Sequence, residues 1–253
     1  MTTSKKILSQ KQVTFFKENG YLILENIIEK KITNQWKKDY KNYFGIDITK
    51  PSSYPLKEKG NGKSVNFLTF SDEKNSVNSH PKIKKIVCEL AGKTISGGTE
   101  QFIIHAPNPT KKWFIPKLAH IDLTPKSFNW RFMIGYTTYG IETKKNGGCF
   151  IFWPKSHLKI WSFIKKNPNY FFDNSTLSPD DIQLKYQEIV GGKPIQFEAK
   201  EGTVLLWHSM LLHNGSMNAN AMPRIGVFGR WGKHIKENEP REKFDSIWEN
   251  WAI

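Results

Sequence analysis

The sequence predicts a mainly β fold, a sandwich or barrel with helices packed on its outside. Three observations predict it. The first hundred residues place apolar side chains at helical spacing around one short strand. From about residue 97 onward the pattern changes to short apolar or alternating runs separated by Gly, Pro and Asn. The chain carries 38% apolar and 13% aromatic residues, nine Trp among them, enough to build a buried core.

The elements follow in order. Residues 9 to 18 (SQKQVTFFKE) open on a Ser9 cap, put Val13 and Phe16 on one side and stop before Asn19-Gly20, so a short amphipathic helix is expected. YLILENI predicts a buried strand. A second helix is expected from the spacing of Ile28, Ile32, Trp36, Tyr40 and Tyr43. Residues 46 to 79, rich in Lys, Ser, Asn, Gly and Pro, predict a long loop that covers a site. Pro81 then opens IKKIVCELAGK, a helix closed near Gly92. Strands are expected in EQFIIHA, NWRFMIGYTTY, GGCFIFW, PIQFEA, GTVLLWH and RIGVFGRW. The expected organisation is one domain over 1–253: a helical part with its loop to residue 95, a β core over 96–235 and a tail over 236–253. Residues 107–118 and 160–190 are expected as loops that choose the substrate.

Composition excludes several classes. Cys88 and Cys149 sit in apolar runs and form no disulfide framework. The N-terminus lacks the apolar core of a signal peptide, and no window approaches a membrane span, so the expected compartment is the cytoplasm. The net charge of +15 is compatible with a nucleic acid, an anionic membrane surface or an acidic substrate. Its lysines are spread along the chain, the pattern of a generally solvated basic surface.

Among seven histidines, only His120 is followed two residues later by an acid, in AHIDL. Two imidazoles and one carboxylate on one face are the ligand set of an open non-haem iron(II) site. The second imidazole has to come from a distant strand, and His157, His208, His213 and His234 are the downstream candidates. His208 and His213 flank the apolar turn in GTVLLWHSMLLHNGS, and their odd separation sets them on opposite faces of a straight strand. Arg224 follows His213 by eleven residues and starts the strand RIGVFGRW, where an inward Arg is costly unless it meets a carboxylate.

From about Phe15 to Trp231 the chain resembles the phytanoyl-CoA dioxygenase (PhyH) family of iron(II) and 2-oxoglutarate oxygenases. The matching pieces are FFKENGYLIL, the HID pair, NGGCFIFWPKSH, EGTVLLWHSMLLHNGS and the Arg eleven residues after the distal His. The resemblance implies a double-stranded β-helix core, a jelly roll of the cupin type, with N-terminal helices outside it. It implies His120, Asp122 and His213 as iron ligands and Arg224 as the residue holding the far carboxylate of 2-oxoglutarate, with Tyr136 and Ser216 as helpers. Ser216 stands one residue beyond the family's usual serine position, which Gly215 occupies here. The cosubstrates implied are 2-oxoglutarate and O2, the products succinate and CO2 with a hydroxylated small molecule. Related halogenases replace the carboxylate by a small residue, and Asp122 is retained, which argues against halogenation. His208 is expected as a flanking core or cavity residue, and His157 as a turn residue satisfying backbone groups. Trp130, Phe132, Tyr136 and Tyr139 are expected in the core, with Tyr136 also facing the cosubstrate. Arg224 and Arg230 form an Arg-x5-Arg spacing partly similar to nucleic-acid demethylases, so nucleic-acid dealkylation is the alternative enzyme reading. A non-catalytic binding protein on the same scaffold is the alternative outside enzymes.

Overall fold

The computed structural model describes residues 6–50, 53, 63–122, 130–167, 177–234 and 246–253, and the side chains of 63–65, 70 and 130–132 lie outside that set. Nine strands form two antiparallel sheets. They are β1 (Tyr21–Leu24), β2 (Lys63–Asn66), β3 (Ser96–His105), β4 (Trp130–Tyr139), β5 (Phe150–Phe152), β6 (Ile195–Gln196), β7 (Val204–His208), β8 (His213–Gly215) and β9 (Arg224–His234). The major sheet has the order β1-β7-β4-β9-β3-β2, and the minor sheet the order β6-β5-β8. Chain-distant neighbours in both sheets are the connectivity of the double-stranded β-helix, as expected.

Helix α1 (Gln10–Asn19) begins with a capping box: the Ser9 hydroxyl accepts from Gln12 N–H, and the Gln12 side chain accepts from Ser9 N–H. It ends at Gly20, whose φ of 79° is left-handed. Glycine is required there twice over, because a Cβ would stand 2.5 Å from the His157 ring. Helices α2 (Lys30–Phe44) and α4 (Pro81–Ala91) bury Trp36, Tyr40, Ile83, Ile86 and Leu90 against the outer face of the major sheet. Alternation supplies the sheet's half of that layer, with Phe102, Ile104, Ile134, Leu206, Ile225 and Val227 pointing to it. Complete burial of a side chain the size of Phe16 or Ile83 contributes about 2–3 kcal/mol.

The opposite face of the major sheet meets the minor sheet through Tyr139, Phe150, Phe152, Leu205, Trp207 and Phe228. Strand β7 is therefore buried on both faces, and VLLWH is continuously buried. Gly135 lies opposite Trp207, whose ring comes within 2.1 Å of where a Cβ would be, so the indole packs directly on bare backbone.

Several expectations need correction. The strand at Tyr21 stops at Leu24 and is an edge strand with Ile23 42% exposed. Tyr43 is half exposed. The described part of the expected covering loop, apart from residues 46–50 and 53, holds β2, which pairs with β3, and the short α3 (Phe67–Phe70) that buries Phe67; residues 54–62 lie outside the described set. The β half is interrupted by α5 (Ser156–Lys166) and α6 (Pro179–Val190), where loops were expected. These helices cover the outer face of the minor sheet through Ile160, Ile164, Tyr186 and Val190. Their signals are local: apolar residues at Ile160 and Ile164, and a capping box from Ser178 to Asp181. The final residues also pack, with Trp251 stacked on His208 at 4.9 Å and Ala252 N–H bonded to the Leu90 carbonyl. Among the described residues no helix is long and apolar enough to cross a membrane.

Candidate active site

His120 and His213 are joined by a reciprocal pair of backbone hydrogen bonds, His120 N–H to the His213 carbonyl at 2.9 Å and the reverse at 3.0 Å. Asp122 is anchored two residues on, its N–H donating to the Ser209 carbonyl at 3.2 Å. This backbone arrangement turns three side chains to one point. Nε2 of His120 lies 3.3 Å from Oδ1 of Asp122, and Nε2 of His213 lies 3.7 Å from the same oxygen. One ligand atom from each residue falls within 4.8 Å of the others.

The environment of each group suits a metal. Nδ1 of His213 faces the Leu211 carbonyl at 2.8 Å, so that nitrogen carries the proton and the Nε2 lone pair points into the cluster. Burial pushes the His213 imidazole down to about 4, which keeps it neutral, the ligating form. Its ring is wedged between Phe150 and Trp207, with centroids at 5.0 and 4.4 Å. Burial pushes the Asp122 carboxyl up, but His213, His120 and Arg230 more than offset this and hold it below the usual carboxylate range. Arg230 binds the outer oxygen, with Nε at 2.7 Å and Nη2 at 2.5 Å from Oδ2.

The cluster lies in a cavity of about 640 Å³, a volume in the range of small-molecule sites. Arg224 reaches the same cavity from the start of β9 and is only 1% exposed. Its Nε and Nη1 have no hydrogen-bond partner. Buried guanidinium donors without partners are costly in isolation, and anionic oxygens entering the cavity are the partners that would satisfy them. Phe228 lies under the guanidinium at 5.1 Å, and Tyr139 at 6.0 Å. Ser216 lines the cavity as well, buried, with its hydroxyl donating to the Cys149 carbonyl at 2.8 Å. The donor set therefore fits an iron(II) ion at His120, Asp122 and His213, with a dicarboxylate reaching back to Arg224.

The structure does not bring Tyr136 to the cavity. It stands on β4 opposite Leu206 and Gly229 and points to the helical layer, where its hydroxyl donates to Glu100 Oε1 at 2.7 Å. Strand alternation is the reason, since Gly135, Thr137 and Tyr139 take the other face. Tyr139 is the aromatic that approaches Arg224, and its hydroxyl accepts from Phe150 N–H at 2.8 Å. Sequence reasoning also missed His105, which faces Arg224 across the β3–β9 pair and lines the cavity. Its signal was the alternation of Gln101, Ile103 and His105, all three on the cavity side. Arg230 was noticed for its spacing and not for its hold on Asp122.

His208 and His213 do take opposite sides. His208 is buried away from the cavity, with Nδ1 accepting from Met210 N–H at 3.0 Å. His157 has the backbone role expected of it, with Nε2 3.0 Å from the Lys17 carbonyl. Trp130 and Phe132 have side chains outside the described set. Of the described residues between 46 and 79, none lines the cavity, whereas Phe114, Pro116, Lys117 and Leu118 do.

Comparison with known proteins agrees with this architecture. The sequence matches the phytanoyl-CoA dioxygenase (PhyH) family over residues 16–226. No curated protein matches it in sequence. Among solved structures it is similar to the non-heme alpha ketoglutarate dependent carbocyclase SnoK from nogalamycin biosynthesis, with TM-score 0.65, 16% identity, 90% of this chain covered and 85% of that one. EctD from S. alaskensis with bound Fe superposes with TM-score 0.63 at 16% identity, covering 92% of this chain and 79% of the other. The same EctD with 2-oxoglutarate and 5-hydroxyectoine gives TM-score 0.62 at 15% identity, with the same coverages. At these identities the likeness shows the fold.

Proposed function

This chain belongs to the phytanoyl-CoA dioxygenase family, and from that premise we propose that it is an iron(II)- and 2-oxoglutarate-dependent oxygenase that hydroxylates a small metabolite, acting as one domain over 1–253 in the cytoplasm. The observation that carries the reading is one cavity holding His120, Asp122 and His213 within ligating distance of one another together with the buried Arg224, whose Nε and Nη1 lack partners.

Iron(II) with 2-oxoglutarate, when bound, supplies oxygen activation coupled to decarboxylation to succinate and CO2. The chain's own residues do the rest. His120, Asp122 and His213 would hold the metal, two imidazoles and one carboxylate being the protein ligand set that such a centre needs. Arg224 orients the cosubstrate through its far carboxylate, a planar fork on a planar anion. Ser216 stands in the same wall, and its support of the cosubstrate would require its hydroxyl to turn from the Cys149 carbonyl to the carboxylate. Phe150, Trp207 and Phe228 line the cavity with rings, so water competes poorly for the reacting groups. Asp122 keeps the carboxylate that related halogenases replace with a small residue, which argues against halogenation.

The test is anaerobic addition of iron(II) and 2-oxoglutarate to the wild type, to His213→Ala and to Arg224→Ala, watching for the visible charge-transfer band of the iron chelate. We expect the band in the wild type, its loss without His213 and a higher 2-oxoglutarate requirement without Arg224. A wild type that binds iron and shows no band would overturn the reading in favour of a binding protein on the same scaffold.

A further inference from the structure

The cavity carries more positive charge than its ligands for iron and cosubstrate call for. Histidines aside, its charged lining among the described residues consists of Lys117, Arg224 and Arg230 against the carboxylate of Asp122, an excess of two positive charges. Iron(II) and the 2-oxoglutarate dianion cancel each other, so a loaded cavity keeps that excess. Arg224 is matched by the far carboxylate, and Arg230 by Asp122. Lys117 is left facing the space where a substrate enters.

The same wall is apolar. Phe114, 59% exposed, stands at the cavity with Pro116 and Leu118, on the segment that leads directly to His120. An exposed aromatic grouped with Pro116, Leu118 and Lys117 in the cavity lining offers a ligand an apolar face next to a cationic one.

Resting on the oxygenase reading above, we propose that the substrate is a small organic oxyanion. Its carboxylate or phosphate head is drawn to Lys117, and its apolar body lies against Phe114 and Leu118. Partial desolvation strengthens such an attraction relative to bulk water. The positive surface of the protein at large, +15 overall, raises the local concentration of anions around the mouth. Lys117 lines the same cavity as the ligand cluster, so a head group received there keeps the adjoining carbons in the cavity with the metal ligands.

The test uses matched six-carbon probes on the anaerobic protein loaded with iron(II) and 2-oxoglutarate: hexanoate and hexyl phosphate against hexanamide and hexanol. The readout is broadening of the probes' proton resonances by the paramagnetic iron, which reports only binding near the cluster. We expect saturable broadening of at least one anion, with the neutral probes roughly tenfold weaker. Lys117 is exposed, so Lys117→Ala and Lys117→Glu keep the fold. Lys117→Ala should weaken the anion by about 2- to 5-fold, Lys117→Glu by more, and neither should change the neutral probes. The relative strength of carboxylate and phosphate identifies the head group. Equal broadening by neutral and anionic probes, indifference of the anions to Lys117→Glu, or no broadening by any probe in protein that shows the chelate band overturns the inference alone. Absence of the chelate band overturns the oxygenase reading, and this inference with it.

Discussion

The guanidinium of Arg230 grips Oδ2 of Asp122 through both Nε and Nη2, at 2.7 and 2.5 Å, and thereby leaves Oδ1 as the oxygen that faces His120 and His213. One carboxylate oxygen is committed to Arg230 and the other faces the two imidazoles, so Oδ1 is the atom that would be offered to a metal.

Arg230→Gln removes that hold. The arginine side chain is 38% exposed, so its loss leaves no buried void and the fold is retained. Anaerobic titration is expected to show iron(II) affinity reduced by roughly 10- to 100-fold, the usual effect of losing a group that orients a ligand. Unchanged affinity would show that Asp122 keeps its rotamer without help.

Arg224→Ala should raise the 2-oxoglutarate concentration needed to develop the chelate band by roughly 10- to 100-fold. Arg224→Lys should not restore it, because a point-charge ammonium cannot make the paired hydrogen bonds of the fork. A lysine variant with wild-type affinity would mean that charge alone binds the cosubstrate.

Tyr136→Phe separates the two faces of β4. Its hydroxyl serves the buried Glu100, which also accepts from the Ser76 hydroxyl and from Val77 N–H at 2.8 Å. Burial raises the Glu100 carboxyl, so removing a donor is costly. We expect about 1–2 kcal/mol lower stability in urea and unchanged 2-oxoglutarate affinity. A large affinity loss would return Tyr136 to the cosubstrate site.

Stability should fall on the acid side. Burial pushes the fully buried His157 down to about 4, while the unfolded chain titrates near 6.5. Between these values the unfolded state binds more protons, so the contribution is complete above about pH 6.5 and declines as pH falls toward 4. His208, also driven down by burial, acts in the same direction. Urea midpoints of the metal-free protein should therefore drop with acidification, and His157→Gln should flatten the slope, by on the order of 3 kcal/mol across the window. Parallel slopes in the two proteins would refute this assignment of the pH dependence.

The sequence carried the helices α1, α2 and α4 because each has an apolar stripe, with capping signals at Ser9 and Pro81, and the long strands because they alternate or run apolar. Spacing singled out the His-x-Asp pair and left four distal histidines open; the resemblance to the family chose His213 and gave Arg224 its role. Which face a strand residue takes is a matter of register, set by distant partners, and Tyr136 failed for that reason. Its neighbour Tyr139, three residues on and odd in the alternation, was the one turned to Arg224. The contact of Arg230 with Asp122 joins residues far apart in the chain, and nothing local announces it. Helix α5 follows Lys155, a non-glycine residue at φ 64°, so its start has no ordinary cap to find.

The backbone bridge between His120 and His213 has a consequence for the life of the protein outside catalysis. The two stretches it joins meet only when both sheets are assembled, so the unfolded chain has no comparable seat for a metal. An ion held there is a rivet through the folded state, and its binding free energy adds to the cost of unfolding in proportion to RT ln(1 + [metal]/Kd). Iron supply would then set how long a molecule survives as well as whether it works: iron-starved copies would open more often and be cleared first. Turnover of the protein would follow the metal.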